Sequence, residues 1–446
     1  MKLRFKFLIY MSAFLLAYDA LNIPMISILD RKPISLFLCG IFLIFNIEKI
    51  FYIKYKRREL IFIGLIILSY IIGYIKIINV YNNDFSGYKR GINSIIGFIV
   101  IYMSFRMYFY YNTKNRFKKI ISIIFWGYSI LTISSGILQF VYYYIYPFSF
   151  IKKLFEFLLF NKMNYISFGR IHFMLGEPSF VGGYYYLLFI PTLVYLYKVK
   201  MIGRSKAIVI FIIITILNLC SFSNRFIFDT IIFIVILTIV LMKKRNIVYK
   251  YSIILVFSLL IICFYLIFIK NVFEIKNDNL TRIEKIFVDN SFAQDKSFIV
   301  RKTLINSGIK GVIDKPLIGW GAGAYKYAFI DNYELTNNIE ANAELLDYVI
   351  MDIGMVSYSY YITILCENGF IGIMMILCIV NTCINRCNKK NKMLMIIGWY
   401  ILYIFVQNEL NSYLPIMIWL ALFNSEIIKI QEGKKNNEIN DNNTLF

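Results

Sequence analysis

Eleven or twelve apolar stretches, most of them long enough to cross a bilayer as a helix, divide this chain and leave it few possible folds. About 20 apolar residues span the hydrocarbon core. Lipid offers no partner for backbone amides, so such stretches must be helices or the strands of a closed barrel, and the alternation of barrel strands is absent. The candidate spans are Phe5 to Ile28, Ile34 to Ile53, Leu60 to Ile75, Ile92 to Tyr111, Ile120 to Tyr146, Phe180 to Tyr197, Ala207 to Ser223, Phe226 to Met242, Tyr251 to Ile269 and Ser359 to Ile384, then the shorter Met393 to Gln407 and Leu414 to Ile428. The last two form either two crossings or one re-entrant hairpin, and the C-terminus lies on the same side in both cases. With 59% of 446 residues hydrophobic, a soluble reading is excluded. The expected fold is an all-α polytopic membrane protein of about twelve transmembrane helices.

One hydrophilic stretch, 270–355, interrupts this pattern between the ninth and tenth spans. Lysine and arginine indicate its side. With a cytoplasmic N-terminus, the even-numbered turns hold Lys54, Lys56, Arg57 and Arg58, then Lys243, Lys244 and Arg245, whereas the opposite short turns hold fewer, among them Arg31, Lys32, Lys89, Arg90 and Arg225. Positive loops stay inside, so both termini are expected in the cytoplasm and the long loop outside. Topology and anionic lipid then account for the net charge of +22, and no nucleic-acid partner is needed. Between Lys270 and Gly354 the loop carries twelve acidic and ten basic residues, the mixture of a folded cap rather than a polybasic tether. The expected organisation is nine spans over 1–269 with a second outer segment at 147–179, the cap at 270–355, the remaining spans over 356–430, and a disordered polar tail at 431–446. All seven cysteines (Cys39, Cys220, Cys263, Cys366, Cys378, Cys383 and Cys387) fall outside the cap, with no disulfide framework or zinc spacing. No P-loop, dinucleotide fingerprint or internal repeat is present.

Reactive side chains first gather in Gly169-Arg-Ile-His-Phe-Met-Leu-Gly-Glu-Pro-Ser179, which places Arg170, His172, Glu177 and Ser179 within ten residues. Pro178 forces Glu177 out of helical geometry and Ser179 is suited to cap a helix starting at Phe180, which aims Glu177 at the membrane surface as a general base. The competing reading is an ordinary cap with a solvated glutamate. His172 has a side chain suited to proton transfer, set against the commoner fate of a lone loop histidine as a surface residue. Ser221-Phe-Ser-Asn-Arg225 puts a guanidinium where an anionic headgroup would sit, and Asp229, one turn on, is its structural alternative. Arg106 and Asp19 are intramembrane charges without a motif, read as paired inside or snorkelling. Tyr142 to Tyr144 and Tyr184 to Tyr186 read as interfacial belts rather than sugar platforms.

Within the cap, Arg301 precedes Pro316-Leu-Ile-Gly-Trp-Gly-Ala-Gly-Ala-Tyr325. Its Gly319, Gly321 and Gly323 would let backbone approach a ligand closely, or would simply build a tight bend between short helices. Tyr358 then leads into the tenth span, with Glu367 near that span's start in Glu367-Asn-Gly-Phe-Ile-Gly372.

In this order, the Arg170 to Ser179 segment, the Ser-x-Ser-Asn-Arg225 end, Arg301 with its glycine turn, the Glu367 motif and the large outer loop together resemble the bacterial O-antigen polymerase and O-antigen ligase superfamily of membrane glycosyltransferases. The resemblance implies a GT-C-like helical fold and transfer of a glycan from an undecaprenyl-pyrophosphate donor to a sugar hydroxyl of a second lipid-linked unit. A chain-length regulator is a further partner it allows. Where ligases of the superfamily place a His about nine residues before the Glu of that motif, this chain has Tyr358, which favours a polymerase. Under this resemblance Arg170, Arg225 and Arg301 bind the pyrophosphate, Glu177 is the first-choice base and His172 the second, and Tyr358 orients sugar. No outer Asp-x-Asp or His and Cys cluster calls for a metal, and no cofactor is expected. A flippase would need neither the cap nor the clustered Arg, His and Glu. A polyprenyl-phosphate sugar transferase would need an acidic motif in the first outer turn, where Asp30 stands without a carboxylate partner.

Overall fold

The computed structural model of the protein describes residues 3–18, 34–81, 84–111, 114–158, 170–175, 177–221, 223–241, 296–350, 355–385, 392–407 and 414–425. The ninth candidate span, the first part of the cap, the polar tail and Asp19 lie outside these residues. Every regular element among the described residues is helical. Helices α1 (Lys6–Phe14) and α2 (Ile34–Ile44) precede three long ones, α3 (Arg57–Val80), α4 (Ser86–Tyr111) and α5 (Lys114–Phe140), the last prolonged by a wider turn at Val141–Ile145. Then come a short amphipathic helix α6 (Ser149–Leu158), α7 (Pro178–Lys198), α8 (Arg204–Leu219) and α9 (Asn224–Leu241). The cap contributes α10 (Lys296–Asp314), α11 (Tyr325–Asn332) and α12 (Ile339–Ile350), and the chain continues with α13 (Tyr360–Asn368), α14 (Phe370–Asn385), α15 (Lys392–Gln407) and α16 (Leu414–Asn424). Four helices, over Arg57–Val80, Ser86–Tyr111, Arg116–Ile145 and Pro178–Lys198, are long and apolar enough to cross a membrane, and α1, α2, α14, α15 and α16 are apolar but shorter.

Helix α7 lies at the centre of the bundle. Tyr184 through Phe189 are all buried, so Tyr184 to Tyr186 are core residues and not the interfacial belt expected of them. Their hydroxyls find partners on neighbouring helices instead, Tyr185 at 2.8 Å from Thr215 Oγ1 and Tyr186 donating to Thr230 Oγ1 at 2.7 Å. Pro191 has no amide to offer the Leu187 carbonyl one turn back. The indole of Trp419 on α16 donates to that carbonyl at 2.7 Å. Helix α16 is buried from Pro415 to Asn424, as a helix apolar on every side requires.

Arg106 is paired inside the bundle rather than snorkelling. Its Nε donates to Glu59 Oε1 at 3.0 Å and its Nη2 to the Lys54 carbonyl at 2.9 Å. The Glu59 carboxylate also accepts from the Tyr102 hydroxyl at 2.5 Å and from the Lys56 amide at 2.7 Å, the latter capping the start of α3. Asn424 donates to Tyr102 Oη at 2.9 Å and accepts from Arg58, so three helices are tied at one buried carboxylate.

The tenth candidate span is not one helix. Helix α13 ends at Asn368, Gly369 takes a φ of 52°, and α14 starts at Phe370, so Glu367 stands at a break and not near the start of a continuous span. The cap docks on the facing ends of α3 and α4. The rings of Tyr81 and Tyr327 stack 4.0 Å apart, and Asp84 accepts from the Tyr327 hydroxyl at 2.7 Å and lies 3.6 Å from the Lys326 ammonium. Burial pushes the Asp84 carboxyl up, but the Ser86 hydroxyl, the Tyr327 hydroxyl, the Ser86 amide and Lys326 outweigh it and hold the pKa at about 2.

Candidate functional site

The residues from Arg170 to Ser179 run along the ends of α5, α8 and α9. A buried amide on α5 sets their path. Gln139 Oε1 accepts from the backbone amides of His172 and Phe173 at 3.0 and 2.9 Å, and its Nε2 donates to the Phe173 carbonyl at 2.9 Å. Phe173 takes a φ of 55°, and its ring fits over Gly136, where a Cβ would come within 2.8 Å of it. The other flank is fixed by the turn after α8: the Ile171 amide donates to the Cys220 carbonyl at 3.4 Å and Arg170 Nε to the Ser221 carbonyl at 3.3 Å. His172 is fully buried, not a surface residue, with Nδ1 3.2 Å from the Leu175 carbonyl of its own turn.

Glu177 is extended, with φ −149° and ψ 147°, as Pro178 requires. Pro178 also opens the first turn of α7 itself, so Glu177 occupies the cap position and Ser179 lies within the turn. Ser179 therefore does not cap the helix as expected. Its hydroxyl donates to Glu177 Oε2 at 3.1 Å, which steadies a half-buried carboxylate. That first turn of α7 packs against α9, which carries Arg225 at its start. Arg225 is buried, and its Nε stands 3.9 Å from Asp229 Oδ2. The structure thus gathers Arg170, His172, Glu177 and Arg225 around the meeting of α5, α7, α8 and α9.

Arg301 belongs to a second group. Its guanidinium lies over the Tyr358 ring, 5.5 Å from the centroid, and Tyr358 has a φ of 55°. The Tyr358 hydroxyl is 3.4 Å from that of Tyr348, which donates to Glu344 at 2.9 Å. The glycine turn meets the chain's own backbone. The Trp320 amide donates to the Cys366 carbonyl at 2.9 Å and the Gly321 amide to the Glu367 carbonyl at 2.8 Å. Gly319, Gly321 and Gly323 all have positive φ. A Cβ on Gly319 would come 2.4 Å from the Glu367 backbone, and one on Gly87 would come 2.1 Å from the Gly323 carbonyl. The turn also bends the chain between α10 and α11, so these glycines hold the cap on the bundle.

Gln139, and Tyr403 on α15, whose hydroxyl donates to Asp229 Oδ1 at 2.9 Å, are the residues that sequence reasoning passed over. An amide inside an apolar span is a usable signal, whereas Tyr403, one tyrosine among 36, carries none.

No curated protein matches this chain. Residues 207–377 match the family described as O-antigen ligase. The matched stretch takes in Arg225, Arg301, the Gly319 to Gly323 turn, Tyr358 and Glu367, and Arg170, His172 and Glu177 precede it. The match falls on a helical membrane protein and is consistent with the O-antigen polymerase and ligase superfamily, whose members are glycosyltransferase-like enzymes.

Proposed function

We propose that the protein polymerises lipid-linked oligosaccharide repeat units of a surface polysaccharide (O-antigen, capsule or exopolysaccharide) at the outer face of the bacterial plasma membrane. Donor and acceptor are both carried on undecaprenyl pyrophosphate. A sugar hydroxyl of the acceptor unit attacks the anomeric carbon of the donor glycan. The bond from that carbon to the pyrophosphate oxygen breaks, and the hydroxyl proton passes to Glu177, with His172 as the second candidate. Pyrophosphate leaves as a stable anion, so the site needs cations more than an acid, and guanidinium groups suit bidentate contact with it. Arg170 and Arg225 supply the charge from the bundle and Arg301 from the cap, beside Tyr358, with Glu367 and the glycine turn shaping the cap's seat. The topology that goes with this reading has about twelve crossings, both termini in the cytoplasm and the 270–355 loop outside.

The observation that carries the reading is the packing of the segment that holds Arg170 and Glu177 against the turn after α8 and the start of α9, where Arg225 lies. Tyr358, in place of the His expected of a ligase, favours polymerase. The description of the matched family favours a second reading, a ligase whose acceptor is a lipid A-core.

Gel analysis of surface polysaccharide and of lipid-linked intermediates, from the host with and without the gene, tests this. A polymerase leaves only anchor plus a single repeat when it is lost. Long chains accumulating on the lipid carrier would mean a ligase, and single repeats held on the inner leaflet would mean a flippase. Glu177→Gln and Arg225→Ala, each supplied to the deletion strain, are expected to leave the ladder collapsed.

A further inference from the structure

Three helices converge on the carboxylate of Asp229, which is 1% exposed. It lies on α9, one turn beyond Arg225. The hydroxyl of Tyr403, on α15, donates to its Oδ1 at 2.9 Å. Its Oδ2 lies against Gly182 of α7, where a Cβ would come within 2.3 Å of it. Only the hydrogen of a glycine leaves room for it there. Oδ2 is also the atom 3.9 Å from Arg225 Nε, whereas charge-assisted hydrogen bonds run at about 2.7 to 2.9 Å. At that separation the carboxylate compensates the buried guanidinium and draws it in one direction without a hydrogen bond between the two.

We propose that Asp229 and Tyr403 form a positioning pair that aims Arg225 at the pyrophosphate of the lipid-linked donor, an inference that rests on the glycan-transfer reading of this site. Neither residue touches substrate. Tyr403 holds one carboxylate oxygen and Gly182 admits the other, so the carboxylate has one orientation and Arg225 is referred to it. The same helix serves the second group: the Tyr361 hydroxyl donates to the Leu402 carbonyl at 3.0 Å and the rings of Tyr360 and Phe405 lie 4.9 Å apart. Tyr360 is two residues from Tyr358, the ring under Arg301, so α15 keeps register with both arginines.

The test uses the full-length protein in lipid nanodiscs with undecaprenyl pyrophosphate as the probe and neutral undecaprenol as the control. Affinity and thermal midpoint are measured for wild type, Arg225→Ala, Asp229→Asn, Tyr403→Phe, Gly182→Ala and the double variant Arg225→Ala/Tyr403→Phe. Tyr403→Phe, Asp229→Asn and Gly182→Ala are each expected to weaken the probe about tenfold, and Tyr403→Phe to have no further effect once Arg225 is gone, because coupled residues are not additive. A purely structural role predicts the reverse, a lowered midpoint and an effect of Tyr403→Phe that is equal with and without Arg225. That result, or unchanged affinity in Tyr403→Phe beside a loss in Arg225→Ala, overturns the positioning pair and leaves the functional reading standing. Wild type that binds undecaprenyl pyrophosphate no better than undecaprenol overturns both. Should Asp229→Asn or Gly182→Ala fail to fold, the comparison of Tyr403→Phe in the two backgrounds decides alone.

Discussion

The bundle contains two buried Arg and carboxylate pairs, and they are built differently. Arg106 and Glu59 meet at 3.0 Å, with Tyr102, the Lys56 amide and the Lys54 carbonyl as further partners. Arg225 and Asp229 stand 3.9 Å apart, and one of the carboxylate oxygens is held by a neutral tyrosine. Burying a charge is costly unless hydrogen bonds replace its water. The first pair is well supplied with them and locks α3 to α4, with α16 joined through Asn424. The second pair lies within one helix, its two charges 3.9 Å apart, and reaches a neighbouring helix through Tyr403 on α15.

Replacing one member of each pair measures this difference. Glu59→Ala strands Arg106, which cannot shed its charge, and is expected to cost about 3 to 5 kcal/mol in thermal unfolding in detergent. The double change of Glu59 and Arg106 to methionine should recover most of that loss, and an unaltered midpoint in Glu59→Ala would remove the lock from the account. Gln139→Leu leaves the amides of His172 and Phe173 without their acceptor, at about 1 to 3 kcal/mol. Its signature is faster hydrogen exchange confined to 170–175, and uniform acceleration across the bundle would contradict it. Arg225→Ala is expected to cost only about 1 to 2 kcal/mol, because the Asp229 carboxylate keeps the hydrogen bond from Tyr403. The smallest effect concerns the cap. Asp84 has a folded pKa of about 2, below its ordinary value of 3.8, so its contribution is present above the ordinary value and fades as pH falls toward 2. Protease cleavage near α11 should therefore rise between about pH 4 and pH 2, and Asp84→Asn should show no such rise.

Much of the helical framework was legible because lipid allows so few arrangements of an apolar stretch: α7 begins and ends within two residues of the apolar run that announces it, whereas α4 and α5 each start about a turn and a half earlier than theirs. Arg170, Glu177 and Arg225 were legible as candidates because polar residues at span ends stand out against their surroundings. Gln139 and Tyr403 were not, since their importance lies in partners 34 and 174 positions away in sequence. The break at Gly369 was hidden for a related reason. Asn368 and Gly369 lie between two apolar runs that together look like one span, and only the carbonyls of Cys366 and Glu367, taken by the glycine turn of the cap, show why the helix stops there. Tyr184 to Tyr186 were misplaced because a tyrosine near the end of a span carries no record of how many helices will surround it.

The bond from Trp419 to the Leu187 carbonyl has a consequence for how the protein is made. Helix α7 carries a proline whose missing amide is compensated by a side chain more than 200 residues downstream. Translation and membrane insertion proceed from the N-terminus, so the central helix enters the bilayer well before that side chain exists. The growing bundle must keep a slot beside α7 until α16 arrives to fill it, and a chain halted before α16 would leave the Leu187 carbonyl without the indole that satisfies it.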